Sequence, residues 1–302
     1  MSTVRPAQRG LLFLGCLLAF VRWEPAPYDL FLIIIFLLYA RGLTWKSYQL
    51  VFVVLLGPLL FTHVPALGAA LEVAPERTLY YSLVTLYLAL SSVFFMSLPE
   101  RSVPLLLLGY EVGALLSGLL GVLAFLRIPG LEDLLWGGSR AVAFFKDPNV
   151  FGAFLIPALF LALARLEQGR KFWILPALIL FLGVLVSLSR GAWANFAVAL
   201  LAWWLLRPRK RIWLPLVLLT LAGGVGISVV VMPDNPIVQR LGFMPYDKER
   251  FFTQMEALSL ALTQPLGYGP GLSEIHLSYA THNTYVRFLA EVGWLGLFFW
   301  LL

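Results

Sequence analysis

Charged side chains are scarce in this sequence. They make up 13% of its 302 residues, against roughly 25% in a typical soluble domain. Hydrophobic residues make up 60%, and the mean hydropathy is +0.86. So little charge leaves too little polar surface to cover a water-soluble body of this size, and a soluble globular domain is therefore excluded.

The residues that several kinds of site require are also missing. The single cysteine, Cys16, excludes an intramolecular disulfide and a cysteine metal cluster. His276 and His282 have no third ligand near them in the sequence, which argues against zinc. The sequence has no Asp-x-Asp pair of the kind that Mg²⁺-dependent sugar-nucleotide transferases use, and no Walker-type glycine loop for ATP. We therefore expect neither a cofactor nor a metal.

Long apolar blocks are what the sequence has instead. Blocks of about 17–25 apolar residues are long enough to cross a bilayer as helices. We predict an all-α fold, a polytopic transmembrane helical bundle of about ten spans. The predicted spans are 10–23, 28–41, 48–64, 79–98, 104–126, 150–165, 172–189, 191–206, 213–232 and 284–302.

The distribution of Lys and Arg sets the predicted orientation. With the N-terminus inside, the inner segments hold twelve basic residues and two acidic ones, Glu100 and Glu167, for a net charge of +10, whereas the rest of the chain sums to −4. The basic balance thus marks topology and requires no nucleic-acid partner. Two long hydrophilic stretches, near 127–149 and 233–283, then fall on the outer side.

The outer stretch 233–283 contains a predicted amphipathic helix at 249–263. Apolar residues recur along it at helical spacing, and they are Phe251, Met255, Leu258 and Leu262. This helix either rests on the outer membrane–water interface or packs on the transmembrane bundle. Pro and Gly residues then break the chain into turns over 264–271.

Three polar residues on the predicted outer side are candidates for a site. Arg190 lies in a tight turn between two apolar blocks, where a charge indicates a function, although snorkelling to phospholipid headgroups is an alternative. Arg250 begins the amphipathic helix, and a solvated helix face is its alternative. His282 precedes the last span, where a helix N-terminus keeps an imidazole neutral and able to accept a proton. Its alternative is a structural hydrogen-bonding role.

Four short stretches carry a more specific signal. They are Phe144-Phe145-Lys146-Asp147-Pro148-Asn149-Val150-Phe151-Gly152; Ser189-Arg190-Gly191; Glu249-Arg250 followed by Pro265-Leu266-Gly267-Tyr268-Gly269-Pro270-Gly271; and His282-Asn283-Thr284-Tyr285 with Glu291, Gly293 and Gly296. In this order they resemble the O-antigen ligase and O-antigen polymerase group of bacterial membrane proteins. The resemblance covers about 140–302 through these motifs, and the earlier spans only in hydropathy.

The resemblance implies an enzyme of the bacterial inner membrane whose active site faces the periplasm. Such an enzyme moves a glycan from undecaprenyl pyrophosphate to an acceptor sugar hydroxyl, as a metal-independent inverting glycosyltransferase. Carried over to this chain, Arg190 and Arg250 bind the pyrophosphate, because guanidinium groups suit phosphate oxygens, and His282 is the general base. We hypothesise that the amphipathic helix holds the polyprenyl tail.

Four further residues form a second tier of candidates. Asp147 and Asn149 either contact sugar hydroxyls or cap the span that follows them. Asn283 belongs to the motif of His282. Glu291 lies deeper in the last span and either takes part in the site or forms an intrahelical ion pair with Arg287.

The resemblance also frames the domain organisation and the alternatives. We expect N-terminal transmembrane helices over 1–140 and a ligase-like catalytic region over 141–302. Members of the family usually have more spans than ten, so we expect the chain to be truncated at its C-terminus.

The acceptor is lipid A–core in a ligase, a lipid-linked repeat in a polymerase, and a protein in a third branch. Outside the family, a transporter or flippase of lipid-linked glycans and a structural membrane partner stay open, although no inverted repeat favours transport.

Overall fold

The fold is almost entirely helical, as the apolar blocks predict. In the computed structural model of the protein, the structure describes residues 6–39, 47–206, 242, 245–277, 281 and 283–301. Its helices are α1 (Pro6–Leu17), α2 (Pro27–Tyr39), α3 (Ser47–Phe61), α4 (Val64–Val73), α5 (Pro75–Met96), α6 (Val103–Phe125), α7 (Pro148–Glu167), α8 (Ile174–Val186), α9 (Arg190–Leu205), α10 (Pro245–Thr263), α11 (Ser273–His276) and α12 (Thr284–Leu301). Two short antiparallel strands, β1 (Leu135–Trp136) and β2 (Arg140–Ala141), accompany them.

The chain divides into two compact units. The first unit is Met1–Arg41 with Glu100–Gly242, and the second is Gly42–Pro99 with Phe243–Leu302. The predicted boundary near residue 140 divides the chain along the sequence, whereas each of these units combines two separate segments. The boundary and the assignment of 141–302 as the catalytic region remain predictions.

Close backbone approach builds the first unit. Helix α1 lies directly against α6 at Gly109 and Gly113, where an added Cβ would come within 1.9 Å and 2.6 Å of the backbone oxygens of Leu12 and Cys16. Small residues at such a contact let two apolar helices pack where no hydrophobic effect drives them together. The core continues between α6, α7, α8 and α9 around the fully buried Phe151.

A bent pair of helices marks the second unit. Helix α3 contains Pro58, and α4 starts with Pro65 in its first turn. Proline removes a helical hydrogen bond and favours a break, and here the two helices are inclined by 42° around His63. Helix α4 lies between two predicted spans, where the sequence analysis expected no helix.

Helix lengths allow part of the predicted membrane topology to be assessed. Among the described residues, three helical stretches are long and apolar enough to cross a membrane, namely Pro75–Met96, Glu100–Phe125 and Pro148–Glu167. The bent pair α3 and α4 makes a possible fourth. These apolar helices fit a membrane protein. The number of ten spans remains a prediction, and the predicted span 213–232 lies outside the described residues.

The predicted amphipathic helix is confirmed as a helix, α10. Its buried residues are Asp247 and the smaller Thr253, Ala257 and Ala261, and Ala257 packs in a cluster with Leu277 and Ala290. The apolar residues predicted to form one stripe remain exposed in the structure, and they are Phe251, Met255, Leu258 and Leu262. The helix therefore packs on α12 through its other face. Contact of the stripe with the membrane–water interface remains a prediction.

Candidate functional site

The Ser-Arg-Gly turn joins α8 to α9 in a strained conformation. Leu188 has a φ of 48°, a left-handed conformation that is unfavourable for a residue with a bulky side chain. Ser187 and Ser189 on either side of it are fully buried. The Ser189 hydroxyl caps α9 by accepting a hydrogen bond from the Ala192 amide at 3.1 Å. Arg190 thus occupies the first position of a helix whose start is tightly fixed.

Asn149 and Arg140 brace this turn from the preceding segment. The Ser189 hydroxyl donates to Asn149 Oδ1 at 2.8 Å, and Arg140 Nη2 donates to the same oxygen at 3.1 Å. Arg140 Nε also donates to the Ser187 carbonyl at 3.1 Å. Satisfied polar networks of this kind can hold a strained backbone in a single conformation.

The start of α7 supports the same turn. Asp147 is the N-cap of α7 and accepts a hydrogen bond from the Asn149 amide, so the capping role that was one alternative for Asp147 is confirmed. Gly152 lies one turn into α7, and an added Cβ there would come within 2.6 Å of Ser187 Oγ and 2.8 Å of Ala192 Cβ. Two of the four motifs, Asp-Pro-Asn and Ser-Arg-Gly, are therefore in direct contact.

The guanidinium of Arg190 lies half-exposed beside this network. Its Nη1 donates to the Gly242 carbonyl at 3.2 Å. In the first unit, the structure thus brings Arg190 together with Asn149 and Asp147. Contact of the two second-tier residues with a sugar remains a prediction.

Arg250 lies in the second turn of α10 in the second unit. Its guanidinium carbon is 4.6 Å from the centre of the Tyr246 ring, a distance at which a cation and an aromatic ring attract each other. Its Nε is buried and has no hydrogen-bond partner among the described residues. A buried donor without a partner is costly, and an anion such as a phosphate oxygen would satisfy it.

Two of the last motif's residues have clear structural contacts. His282 lies outside the described residues. Asn283 caps α12, because its Oδ1 accepts from the amides of Tyr285 at 3.0 Å and Val286 at 3.3 Å. Glu291 accepts from Arg287 Nε at 2.9 Å, which confirms the intrahelical ion pair, and from the Ser273 hydroxyl at 2.6 Å.

The glycine-rich loop over 264–271 docks on a break in α12. Gly293 has φ 69° and ψ −167°, a conformation that is essentially restricted to glycine. The break leaves two carbonyls of the helix available, and the amides of Tyr268 and Gly269 donate to those of Ala290 and Glu291, both at 2.9 Å. The other two motifs, Pro-Leu-Gly-Tyr-Gly-Pro-Gly and Glu-x-Gly, are therefore also in direct contact.

The sequence analysis did not single out Arg140 or Arg77, and it named Arg287 only as a partner of Glu291. Arg77 and Arg287 both lie over the Tyr81 ring, with their guanidinium carbons 5.3 Å and 4.2 Å from its centre. In the sequence, Arg140 is one charge among many in the outer stretch, and its partner Ser187 is 47 residues away. For Arg77, the local signal in the sequence was Tyr81, an aromatic residue four positions later and thus on the same face of a helix.

The site has no metal-type ligand cluster in the described part of the chain. No group of three or more His, Cys, Asp or Glu side chains is placed there to hold a metal ion. Its chemistry consists instead of guanidinium groups, amides and hydroxyls, which suit an anion and a sugar.

A comparison against protein families gives a match in the C-terminal part of the chain. The model of the family described as O-antigen ligase matches residues 175–301. Over these residues the chain is therefore similar to the O-antigen ligase family. The O-antigen ligase region contains Arg190, Arg250, Asn283 and Glu291, whereas Arg140 and Asn149 precede it. A comparison with curated proteins and one with solved structures gave no match.

The similarity to the O-antigen ligase family has general consequences. It indicates a membrane enzyme of the ligase or glycosyltransferase type that acts in polysaccharide biosynthesis. A lipid-linked glycan and an acceptor are the partners that such a family implies.

Proposed function

We propose that this protein transfers a glycan from undecaprenyl pyrophosphate to an acceptor sugar hydroxyl on the periplasmic face of the inner membrane. The observation that supports this most is the strained, buried turn at Leu188, which leads directly into Arg190. Strain of about 1–3 kcal/mol persists where the surroundings enforce it, and such positions cluster at functional sites.

The two arginines bind the leaving group in this proposal. A pyrophosphate diester carries two negative charges, and the guanidinium of Arg250 has an unpartnered Nε among the described residues. Arg190 presents a half-exposed guanidinium at the start of α9. Both groups stabilise the charge that develops as the pyrophosphate departs, and neither requires a metal or a nucleotide.

His282 is the general base of the proposed reaction. Its imidazole takes the proton of the acceptor hydroxyl while the hydroxyl oxygen forms a bond to the anomeric carbon. The bond from that carbon to the phosphate oxygen breaks, and its electron pair leaves with the pyrophosphate on the carrier. Attack opposite the leaving group inverts the anomeric centre. A positioned base of this kind contributes about 10²–10⁴-fold to the rate.

Complementation of a strain that lacks the gene tests the proposal. The variants are His282→Ala, Arg190→Ala and Arg250→Ala, and Lys248→Ala is the matched control because Lys248 is an exposed cation near Arg250. At equal membrane levels, we expect the first variant to lose about 10²–10⁴-fold of the transfer, the arginine variants to lose a large part of it, and the control to keep it.

The surface polysaccharide then distinguishes the alternatives. Loss of long glycan on lipid A–core, with polymer accumulating on the carrier, indicates a ligase. Single repeats on lipid A–core indicate a polymerase. A wild-type ladder from the His282→Ala variant would contradict the general base and favour transport of a lipid-linked glycan.

A further inference from the structure

The second unit encloses a cavity that the proposed chemistry does not use. Helices α3, α5 and α12 surround a volume of about 600 Å³, within the range of about 300–1,000 Å³ that is typical of ligand pockets. Most of its wall is apolar, including Phe52, Leu56, Val84, Leu88, Phe288 and Trp300. Such a wall suits a hydrocarbon group.

The polar side chains of the cavity carry no net charge. The Arg287 guanidinium donates to the Glu291 carboxylate and lies over the Tyr81 ring, so its charge is already compensated. His63 Nδ1 donates to the Leu59 carbonyl at 3.0 Å, a bond that a neutral imidazole makes through its one N–H. A doubly charged pyrophosphate is therefore disfavoured inside this cavity, whereas an uncharged chain is not.

The cavity begins at the segment that carries the predicted base. Thr284, the first residue of α12, is part of its wall, and His282 is two residues earlier in the sequence. A lipid whose chain fills the cavity and whose polar end lies at the first turn of α12 would be next to this segment of the chain. Such a position suits the carrier of the donor better than an unrelated membrane lipid.

We propose that this cavity holds the isoprenoid chain of the lipid-linked donor, an inference that rests on the proposed function. The exposed stripe of α10 offers an open apolar surface, whereas the cavity surrounds a chain on several sides. The carrier thus has its chain between α3, α5 and α12 and its pyrophosphate outside the cavity.

Photolabelling of the wild-type protein tests this placement without any substitution. The probe is a polyprenyl phosphate with a diazirine on its chain, and the full chain is held in nanodiscs of phosphatidylethanolamine. We expect labelled peptides from 83–92 and 284–300, and suppression of the label by unlabelled polyprenyl phosphate. Label on the stripe of α10, or equal suppression by phosphatidylglycerol, would overturn the proposal.

A pair of neighbouring substitutions sharpens the test. Ala89 lines the cavity and is 6% exposed, whereas Leu90 is 60% exposed on the same helix. We expect Ala89→Trp to lower the labelling at least about tenfold by filling the cavity, and Leu90→Trp to leave it unchanged. Folding of both variants is checked by size-exclusion chromatography.

Glycan transfer measured on the same samples separates the two proposals. Suppose that the wild type transfers glycan, but that Ala89→Trp is labelled as strongly as the wild type. The cavity proposal then fails, and the proposed function stands. If the wild type labels in the cavity but transfers nothing, the proposed function fails and the binding site stands.

Discussion

The two units hold their motifs together by different means. In the first unit, side-chain hydrogen bonds from Asn149, Arg140 and Ser189 fix the turn before Arg190. In the second unit, main-chain hydrogen bonds join the glycine-rich loop to the break at Gly293. The first arrangement should be sensitive to the loss of a polar group, and the second to added volume.

The largest effect is expected at Gly293. A Cβ at this position would lie 2.0 Å from the Pro265 carbonyl oxygen, in a backbone conformation that costs other residues about 1–3 kcal/mol by itself. We expect Gly293→Val to reduce the free energy of unfolding by more than about 3 kcal/mol, which a fluorescence-detected thermal unfolding curve in detergent would register.

Gly191 is the matched control, because only Ser189 Oγ at 3.8 Å comes near a Cβ added there. Gly191→Ala should keep the wild-type stability or raise it by up to about 1 kcal/mol, since alanine favours a helix. Equal losses in both variants would show that the steric contrast between the two motif glycines does not determine stability.

A medium effect is expected from Asn149 in the first unit. Asn149→Leu leaves the donors of Arg140 and Ser189 without their shared acceptor, which costs about 1–3 kcal/mol, and transfer should fall with it because the Arg190 turn loosens. Asn149→Asp keeps an acceptor oxygen and should retain most of the stability. Thermal unfolding and glycan transfer are measured on the same samples. If Asn149→Leu is as active as Asn149→Asp, the hydrogen bonds of Asn149 do not support the turn before Arg190.

The smallest effect is expected from Ser273 in the second unit. Its hydroxyl donates to the buried Glu291 carboxylate, which also pairs with Arg287. Because that ion pair remains, Ser273→Ala should cost only about 1 kcal/mol. The control is Ser259→Ala on the exposed face of α10. If Ser273→Ala loses as much stability as Gly293→Val, main-chain hydrogen bonds are not what mainly holds the second unit together.

Much of the fold follows from the sequence, because apolar blocks and helix-starting prolines are local signals. Every predicted span that lies in the described residues contains a helix, and the helix with the apolar stripe, α10, was expected. The break at Gly293 was not predicted, since a glycine within an apolar block is also compatible with an unbroken helix. Its cause is a loop more than twenty residues away in the sequence.

The candidate site was predictable only in part. Arg190 stood out because a charge next to apolar blocks is rare, and Arg250 gained weight from the resemblance to a family. Arg140 did not, since its role depends on a tertiary contact with Ser187 and on the left-handed backbone of Leu188, which no local pattern signals. The roles of His282, Arg190 and Arg250 remain predictions.

The docking of the loop on α12 changes the depth to which polar backbone extends. Glu291 lies seven residues after the start of α12, about 10 Å along the helix axis at 1.5 Å per residue. At that depth, the amides of Tyr268 and Gly269 meet carbonyls that hydrocarbon would leave unsatisfied at a cost of several kcal/mol. For a last helix that crosses the bilayer as predicted, the loop therefore supplies hydrogen-bond partners to the broken helix at a depth where lipid chains offer none.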